Sequence, residues 1–475
     1  MIGALLANEF SAAASQKNKP NILFIFSDDQ AFETVHALGC DEIETPNLDR
    51  LVKNGVTFTH AYNQGSWTGA VCIASRTMLN TGRFLWNAHG IYKTSEDERK
   101  SGRFWSEYMK SAGYDTYMTG KWHLKADANK AFDITRHIRP GMPKENEAGY
   151  DRPIVGQPDQ WSPSDKQFGG YWEGGKHWSE VLADDSVEFL ERAAKTDKPF
   201  FMYLSFNAPH DPRQSPKEYV QKYPLDKVSV PDNFLTEYPY KDSIGCGKEL
   251  RDERMVPFPR THYAVKVNRQ EYYAIITHMD RQIGQILDAL ERSGKSDNTY
   301  IFFTADQGLA VGHHGLVGKQ NMFDHSVRVP LMITGPNIPK NKKISAPVYL
   351  QDIMPTTLEL AGITKPSHVQ FKSLLPLINN DSRKHYDAIY GAYLDLQRMV
   401  TQGDYKLILY PQIPKALLFN LKKDPLEMHD LAQKPEHKRI MKKLFKSLLE
   451  LQKETADTLD LVSVYPDLLT PQNST

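Results

Sequence analysis

The sequence predicts an α/β protein with a large, mostly parallel sheet, followed by a smaller C-terminal α+β subdomain. Strand-like apolar runs alternate with amphipathic helical patterns over most of the 475 residues, which is typical of a parallel sheet with crossover helices. Polar residues follow several of the apolar runs directly. After about residue 381 the pattern changes to short strands and one basic amphipathic helix.

The first predicted element is a buried strand from Asn21 to Ser27. The helix predicted next carries its own boundary signals. Thr45 is suited to cap its N-terminus, and Pro46 fits its first turn. Gly55 can adopt the left-handed conformation that often ends a helix.

Three further apolar runs predict strands at 200–206, 299–304 and 329–333. A long amphipathic helix, which ends at Gly294, is predicted between the first two of them. Its apolar stripe consists of Tyr272, Ile275, Ile276, Met279, Ile283, Ile286, Leu287 and Leu290.

Two segments, 125–176 and 211–262, interrupt this alternation and are rich in Gly, Pro and charged residues. Long insertions of this kind in a compact domain are usually functional loops. In the C-terminal part, strands are predicted at 406–410 and 418–421. They precede a helix whose apolar positions are Ile440, Leu444, Leu448 and Leu451.

The predicted organisation has three regions. Residues 1–19 form a leader or the remnant of a signal peptide, residues 20–380 the main domain, and residues 381–475 a subdomain with a small antiparallel sheet and a helix. The leader ends in small residues but lacks a basic start and contains Glu9, so export and a disordered leader both remain open. We expect a periplasmic or secreted protein.

Bulk properties exclude several classes of protein. Lys and Arg number 58 and Asp and Glu 58, so nothing favours bulk electrostatic capture of nucleic acid. No apolar run is long enough for a transmembrane anchor. The three cysteines cannot form a disulfide framework.

Candidate metal ligands follow the predicted strands. Asp28 and Asp29 come after the first strand, and Asp306 and Gln307 follow the strand at 299–304. Reactive groups gather beyond the carboxyl ends of strands in open α/β sheets, and oxygen ligands suit Ca²⁺ or Mg²⁺. For any single pair, the alternative is that the acids only cap the next helix.

Cys72 and Arg76 lie at positions i and i+4 of a predicted helix start, and therefore on one face. The free N–H groups and positive dipole end of a helix N-terminus bind anions. The alternative for a lone cysteine here is a small buried hydrophobe.

The stretch Cys72-x-Ala74-Ser75-Arg76, with Thr81 to Arg83 downstream, resembles the signature of the formylglycine-dependent (type I) sulfatases of the alkaline phosphatase superfamily. The bacterial polysaccharide and carbohydrate sulfatases are the members that the chain resembles. Further landmarks occur in the family's order: Gly120 to Leu124, Ala208 to Pro212, Gly318-Lys319, Phe323-Asp324, Arg328 to Pro330, Tyr405 to Leu407, Leu418 to Leu421 and Asp424 to Glu427.

The resemblance implies an alkaline-phosphatase-like fold, in which helices sandwich a large mixed sheet. It also implies one calcium ion held by Asp28, Asp29, Asp306, Gln307 and a modified Cys72. A maturation enzyme would convert Cys72 to formylglycine (3-oxoalanine), the nucleophile that attacks sulfur. The other implied roles are Arg76 stabilising the formylglycine and the anion, Lys121 and Lys319 contacting sulfate, His123 as base, and His210 assisting the leaving group.

The chain departs from the family pattern at two positions. Ala74 stands where proline is commoner, which raises the question of which maturation enzyme accepts it. Gln307 stands where Asn or His is usual, so the longer side chain makes it the least secure ligand. His313 and His314, in the loop of Lys319, either touch the substrate or shape the loop; for at least one, we favour the second role.

We expect a sulfated carbohydrate as substrate, because segment 125–178 interleaves cations with aromatic residues that stack on sugar rings. The residues concerned are Arg136, His137, Arg139, Lys144, Arg152, Lys176 and His177, with Trp161, Tyr171, Trp172 and Trp178. The alternative is that they only pack the insertion. Two other functions stay open: a related phosphoesterase or phosphonate hydrolase, and an inactive carbohydrate-binding pseudosulfatase.

Overall fold

The computed structural model describes residues 19–380 and 384–469. The predicted leader lies outside these residues except for residue 19, and the predicted boundary after residue 380 falls at the gap. The strands are β1 (Asn21–Ser27), β2 (Val56–Phe58), β3 (Ala61–Tyr62), β4 (Gly65–Ser66), β5 (Asp115–Lys121), β6 (Ile134–Arg139), β7 (Phe200–Ser205), β8 (Thr299–Ala305), β9 (Arg328–Val329), β10 (Leu331–Thr334), β11 (Lys342–Ile344), β12 (Val348–Tyr349), β13 (Ile389–Tyr393), β14 (Gln397–Gln402), β15 (Tyr405–Tyr410) and β16 (Lys415–Asn420).

The α-helices are α1 (Pro46–Asn54), α2 (Val71–Thr81), α3 (Leu85–Tyr92), α4 (Ser95–Lys100), α5 (Trp105–Ser111), α6 (Ala128–Ala131), α7 (Trp178–Ala193), α8 (Lys217–Gln221), α9 (His262–Arg292), α10 (Asp324–Val327), α11 (Ile353–Leu360), α12 (Leu375–Asn379) and α13 (Lys438–Thr455). Within the described ranges, no helix is long and apolar enough to cross a bilayer.

A central eight-stranded sheet has the order β11-β2-β10-β8-β1-β7-β5-β6. β10 runs antiparallel to both of its neighbours, whereas the remaining adjacent pairs are parallel. Alternate residues of β1 supply the two faces: Ile22, Phe24 and Phe26 belong to one apolar cluster, and Leu23 and Ile25 to another. Because helices cover both faces, β1 is a continuous apolar run. The predicted fold class is confirmed.

A second, five-stranded sheet has the order β16-β15-β14-β13-β4. Helix α13 covers it through Met441, Leu444 and Leu448. Its edge strand β4 comes from the N-terminal part of the chain and pairs in parallel with β13. A side chain at Gly65 would lie 2.0 Å from the carbonyl oxygen of Ala392, so this close approach requires glycine.

The run at 329–333, predicted as one strand, is divided into two strands that belong to different sheets. β9 pairs with β3, and β10 joins the central sheet. Pro330 lies between them, and proline has no N–H to donate to a ladder.

Helix α1 begins at Pro46 and ends before Gly55, as predicted, but neither end is capped in the predicted way. The Thr45 hydroxyl makes no capping bond and instead accepts from the backbone N–H of His36, at 2.9 Å. The N-terminus is capped from outside by Asp280 of α9, which accepts from the N–H groups of Asn47 and Leu48 at 3.0 and 2.7 Å. Gly55 is extended and not left-handed. A side chain there would lie 2.2 Å from the carbonyl oxygen of Ile333, so the close approach of the backbone requires glycine.

We expect Asp280→Ala to lower the free energy of unfolding by about 1–3 kcal/mol, because it leaves two N–H groups without an acceptor in a buried place. Urea unfolding followed by circular dichroism measures this. Asp288→Ala is the matched control. Asp288 also joins α9 to α1, through an exposed ion pair with Arg50, and such pairs contribute about 0–1 kcal/mol. Equal losses in the two variants would contradict the capping role.

Candidate active site

The predicted metal ligands meet at the carboxyl ends of β1 and β8. These strands are parallel neighbours in which Ser27 lies opposite Ala305, so the residues that follow them come together. The backbone N–H of Asp29 donates to Asp306 at 3.1 Å, and the Gln307 amide donates to Asp29 at 2.7 Å. All of these side chains are buried, as is Asp28.

Helix α2 brings Cys72 and Arg76 to the same place. The Arg76 guanidinium is buried completely and donates to Asp306 at 3.1 Å, to the Ser205 hydroxyl at 2.6 Å and to the Lys121 carbonyl at 2.9 Å. Arg76 therefore connects Asp306, which follows β8, to the ends of β5 and β7.

Two lysines neutralise the other two carboxylates. Lys121, the last residue of β5, pairs with Asp28. Lys319 donates to Asp29 at 2.7 Å, and its Nζ lies 3.1 Å from His210 Nε2. The buried acids therefore each have a cationic partner before any ion binds.

His123 lies beside Cys72. Its Nδ1 lies 3.3 Å from Cys72 Sγ. His123 has φ 58° and Asp29 φ 66°, in the left-handed region that non-glycine residues rarely occupy. Strained conformations of this kind concentrate at functional sites.

Above these groups lies an open cavity of about 580 Å³. Four of the six predicted catalytic residues line it: Cys72, His123, His210 and Lys319. Arg76 and Lys121 are buried in the layer beneath. The remaining lining residues are Gly69, Ala70, Pro140, Gly141, Met142, Leu250, Arg251, Asp252 and Gln320. The predicted site residues are thus all brought together.

Burial and neighbouring charges shift the pKa values of the groups in the site. Burial, and then the charge of Asp28, raise the pKa of Asp306 to about 7. Burial alone would raise the pKa of Asp28, but the charges of Lys121, His210 and Arg76 hold it well below its usual value. Burial also raises the pKa of the Cys72 thiol, and burial and Lys121 lower the pKa of His123 to about 2. At neutral pH His123 is therefore an uncharged imidazole with one unprotonated ring nitrogen.

The donor set fits a hard divalent cation. Ligand atoms of Asp28, Cys72 and Asp306 lie within 4.8 Å of one another. The oxygens Asp28 Oδ1 and Gln307 Oε1 are buried and have no hydrogen-bond partner within the protein. A cation placed against them would satisfy both oxygens and offset the charge on the carboxylates.

Several residues of the site were not predicted individually. Ser205 is one, although it ends a strand whose neighbours had been singled out. Asp252 accepts from Gln320 at 2.7 Å, and Arg251 pairs with Asp211 at 2.9 Å. The character of segment 211–262 signalled a functional loop, but nothing in it distinguished these positions.

The cations and aromatics of segment 125–178 do not line the cavity, and the structure supports the alternative that they pack the insertion. Trp161 stacks on Phe168 with 4.8 Å between ring centroids, and Arg139 covers Trp178 at 3.9 Å. Ion pairs join Arg136 to Glu188, His137 to Asp185, Arg152 to Asp159 and Lys176 to Asp184. The residues of this segment that do line the cavity are Pro140, Gly141 and Met142.

His313 and His314 shape their loop. His313 Nδ1 lies 2.7 Å from Asn233 Oδ1, and its Nε2 lies 2.7 Å from Glu33. His314 Nε2 lies 3.0 Å from the carbonyl oxygen of Glu427, in the C-terminal part. Both rings are buried, and neither lines the active-site cavity. The role that we favoured for at least one of them, shaping the loop, therefore applies to both.

Comparison with known proteins decides the family. The sequence profile described as "Sulfatase" matches residues 20–363, and the profile "N-sulphoglucosamine sulphohydrolase, C-terminal" matches residues 312–454. The chain belongs to the sulfatase family. It is a sulfuric ester hydrolase, and the predicted family is confirmed.

Among curated relatives, this sulfatase is 26% identical to an N-acetylglucosamine-6-O-sulfatase of Bacteroides thetaiotaomicron, over 95% of this chain and 89% of the relative. A solved structure in complex with its substrate D-glucosamine-2-N,6-O-disulfate aligns with a TM-score of 0.72 at 24% identity, covering 93% and 99% of the two chains. The phosphonate monoester hydrolase of Agrobacterium radiobacter also aligns with a TM-score of 0.72, at 20% identity over 92% and 96%. These two alignments establish the fold.

Proposed function

We propose that this sulfatase hydrolyses sulfate esters of a sulfated carbohydrate, through a formylglycine formed from Cys72 and with one bound Ca²⁺. The observation that carries the proposal is the placement of Cys72 at the floor of the cavity. There it lies between the neutral imidazole of His123 and the buried carboxylates of Asp28 and Asp306. A maturation enzyme and a periplasmic or secreted location belong to the same proposal.

Calcium would be held by Asp28, Asp29, Asp306, Gln307 and the modified Cys72. Two of these ligands, Asp28 and Gln307, are supported by their buried oxygens, which have no hydrogen-bond partner within the protein. Bound there, the ion would supply positive charge to the sulfate oxygens and to the nucleophile. Arg76 and the lysines keep the carboxylates in place.

The formylglycine hydrate would supply a hydroxyl nucleophile, and the protein's own groups do the rest. His123 accepts a proton at Nδ1, the atom nearest the side chain of Cys72. Lys319 and His210 lie together at the opposite wall, where the ammonium binds a sulfate oxygen and the imidazole assists the leaving oxygen. Lys121, which is buried beneath the cavity, pairs with Asp28 and stabilises the charged form of that carboxylate.

A carbohydrate is favoured over a simple aryl ester by the size of the cavity and by the relatives. A space of about 580 Å³ accommodates a sugar ring with its substituents. The relative and the substrate complex named above act on, or bind, sulfated glucosamine derivatives. Asp252, Arg251 and Gln320 offer hydrogen-bonding groups to hydroxyls, in place of the residues of segment 125–178.

Mass spectrometry tests the nucleophile. We expect the peptide containing Cys72 to be lighter by about 18 Da in active enzyme, the change from thiol to aldehyde. Peptides containing Cys40 and Cys246 should keep their thiol masses, and Cys72→Ala should be inactive. Active enzyme with an unaltered Cys72 would overturn the proposed nucleophile.

Replacement of the base tests the role of His123. We expect His123→Ala to lower kcat about 10²–10⁴-fold, the usual contribution of a positioned general base. His429→Ala, which removes an exposed imidazole in the C-terminal part, should leave kcat unchanged. A kcat within a few-fold of wild type in His123→Ala would assign the proton transfer to another group.

Calcium binding can be measured without any activity. At free Ca²⁺ of 100 times the dissociation constant, we expect the free energy of unfolding to rise by about 2.7 kcal/mol. Asp28→Asn should remove most of this gain. Asp185→Asn, which alters a buried acid bonded to Thr119, should keep it. A gain that survives in Asp28→Asn would place the ion elsewhere.

A further inference from the structure

A second cavity has a volume of about 450 Å³. Segment 67–70 connects it to the active-site cavity: Gly69 and Ala70 line the active-site cavity, and Trp67 lines the second. The five residue steps from Trp67 to Cys72 span at most about 18 Å. On the opposite side, the turn between β13 and β14 contributes Leu394 and Asp395.

The floor of the second cavity is a buried, fully paired polar network. The Arg398 guanidinium donates to Asp457 at 2.7 and 2.9 Å, and both side chains are 2% exposed. The Trp86 indole donates to the Tyr390 hydroxyl at 2.7 Å, and that hydroxyl donates to Asp457 at 2.9 Å. Because its charges neutralise each other, this floor is rigid and has no affinity for a further ion.

Trp67 provides a flat wall that is held in position. Its ring stacks on His89, with centroids 5.2 Å apart, and contacts Tyr92 at 5.9 Å. The indole is only half-buried, so part of its apolar surface faces the cavity. Aromatic rings that are fixed in this way bind the apolar faces of sugar rings with little loss of side-chain entropy.

The rim of the second cavity adds exposed side chains whose oxygens accept hydrogen bonds. Asp395, Thr458 and Asp460 are exposed around the opening, and their oxygens accept hydrogen bonds from hydroxyl groups. Among the described lining residues, the only cation is Arg398, which is already paired with Asp457. A rim with two carboxylates repels a second sulfate, so the complementary ligand is uncharged and rich in hydroxyls.

We propose that the second cavity is a subsite for an unsulfated sugar residue, joined to the sulfated residue that occupies the active site. This inference rests on the proposed carbohydrate activity and extends it. The enzyme would then prefer an oligosaccharide over the corresponding monosaccharide, and Trp67 would be a specificity-determining residue without a part in the chemistry.

The test compares substrates of different length. The probes are N-acetylglucosamine 6-sulfate, a trisaccharide with this residue at one end and two unsulfated sugars, and 4-nitrophenyl sulfate. In Trp67→Ala we expect KM for the trisaccharide to rise about tenfold or more, with KM and kcat for the two small substrates unchanged. Trp67→Phe should keep most of the wild-type KM, and Asp395→Ala should raise the same KM by a smaller factor.

A binding experiment separates the two proposals. Isothermal titration with the unsulfated disaccharide should show binding in wild type and its loss in Trp67→Ala. If no sulfated sugar is hydrolysed but this binding occurs, the proposed function fails and the subsite stands. If the disaccharide does not bind, or if Trp67→Ala impairs all three substrates equally, the subsite is overturned.

Discussion

Three carboxylates buried at one edge of a sheet are the constraint on which this structure depends. Asp28, Asp29 and Asp306 are at most 1% exposed, and their proximity follows directly from the pairing of β1 with β8. Isolated charges cannot be buried at such density, because desolvation costs several kcal/mol per ion. The surrounding elements therefore each deliver a cation.

Those cations come from three different parts of the chain, which makes the site a junction of the fold. Arg76 comes from α2, Lys121 from the end of β5, and Lys319 from the loop that follows β8. With the ends of β1, β5, β7 and β8 fixed against one another, the loops above are free to vary in sequence. Further walls of the cavity come from such loops, at 69–70, 140–142 and 250–252. These loops form a layer of specificity around the layer of chemistry, which includes Lys319.

Part of the layer of chemistry could be predicted from the sequence pattern, because Asp28, Asp29, Asp306 and Gln307 follow predicted strands and Cys72 and Arg76 lie at a predicted helix start. Lys121, His123 and Lys319 were expected only from the resemblance to the sulfatases. The sequence was not sufficient for the layer of specificity. The aromatics of segment 125–178 have a composition typical of sugar binding, yet Trp161 and Trp178 are consumed by packing within their own insertion. Likewise, the cap of α1 comes from Asp280, more than two hundred residues away, which no local signal at Thr45 could reveal. In both cases the contacts that a side chain makes in the folded protein, which composition and local pattern do not reveal, decided its role.

The fold by itself does not choose between hydrolysis of sulfate and of phosphonate esters, because structures of both kinds align with a TM-score of 0.72. Under the proposed function, the choice depends on the chemical state of the side chain at position 72. Burial raises the pKa of this thiol, so at neutral pH it is not the thiolate that direct cysteine catalysis needs. Lys121 and Lys319 lower that pKa, but the effect of burial is larger. The proposed aldehyde hydrate would require no ionised sulfur, and the imidazole of His123, whose Nδ1 lies 3.3 Å from Cys72 Sγ, is placed to take its proton. These features favour the proposed oxidised form of Cys72 over the native thiol.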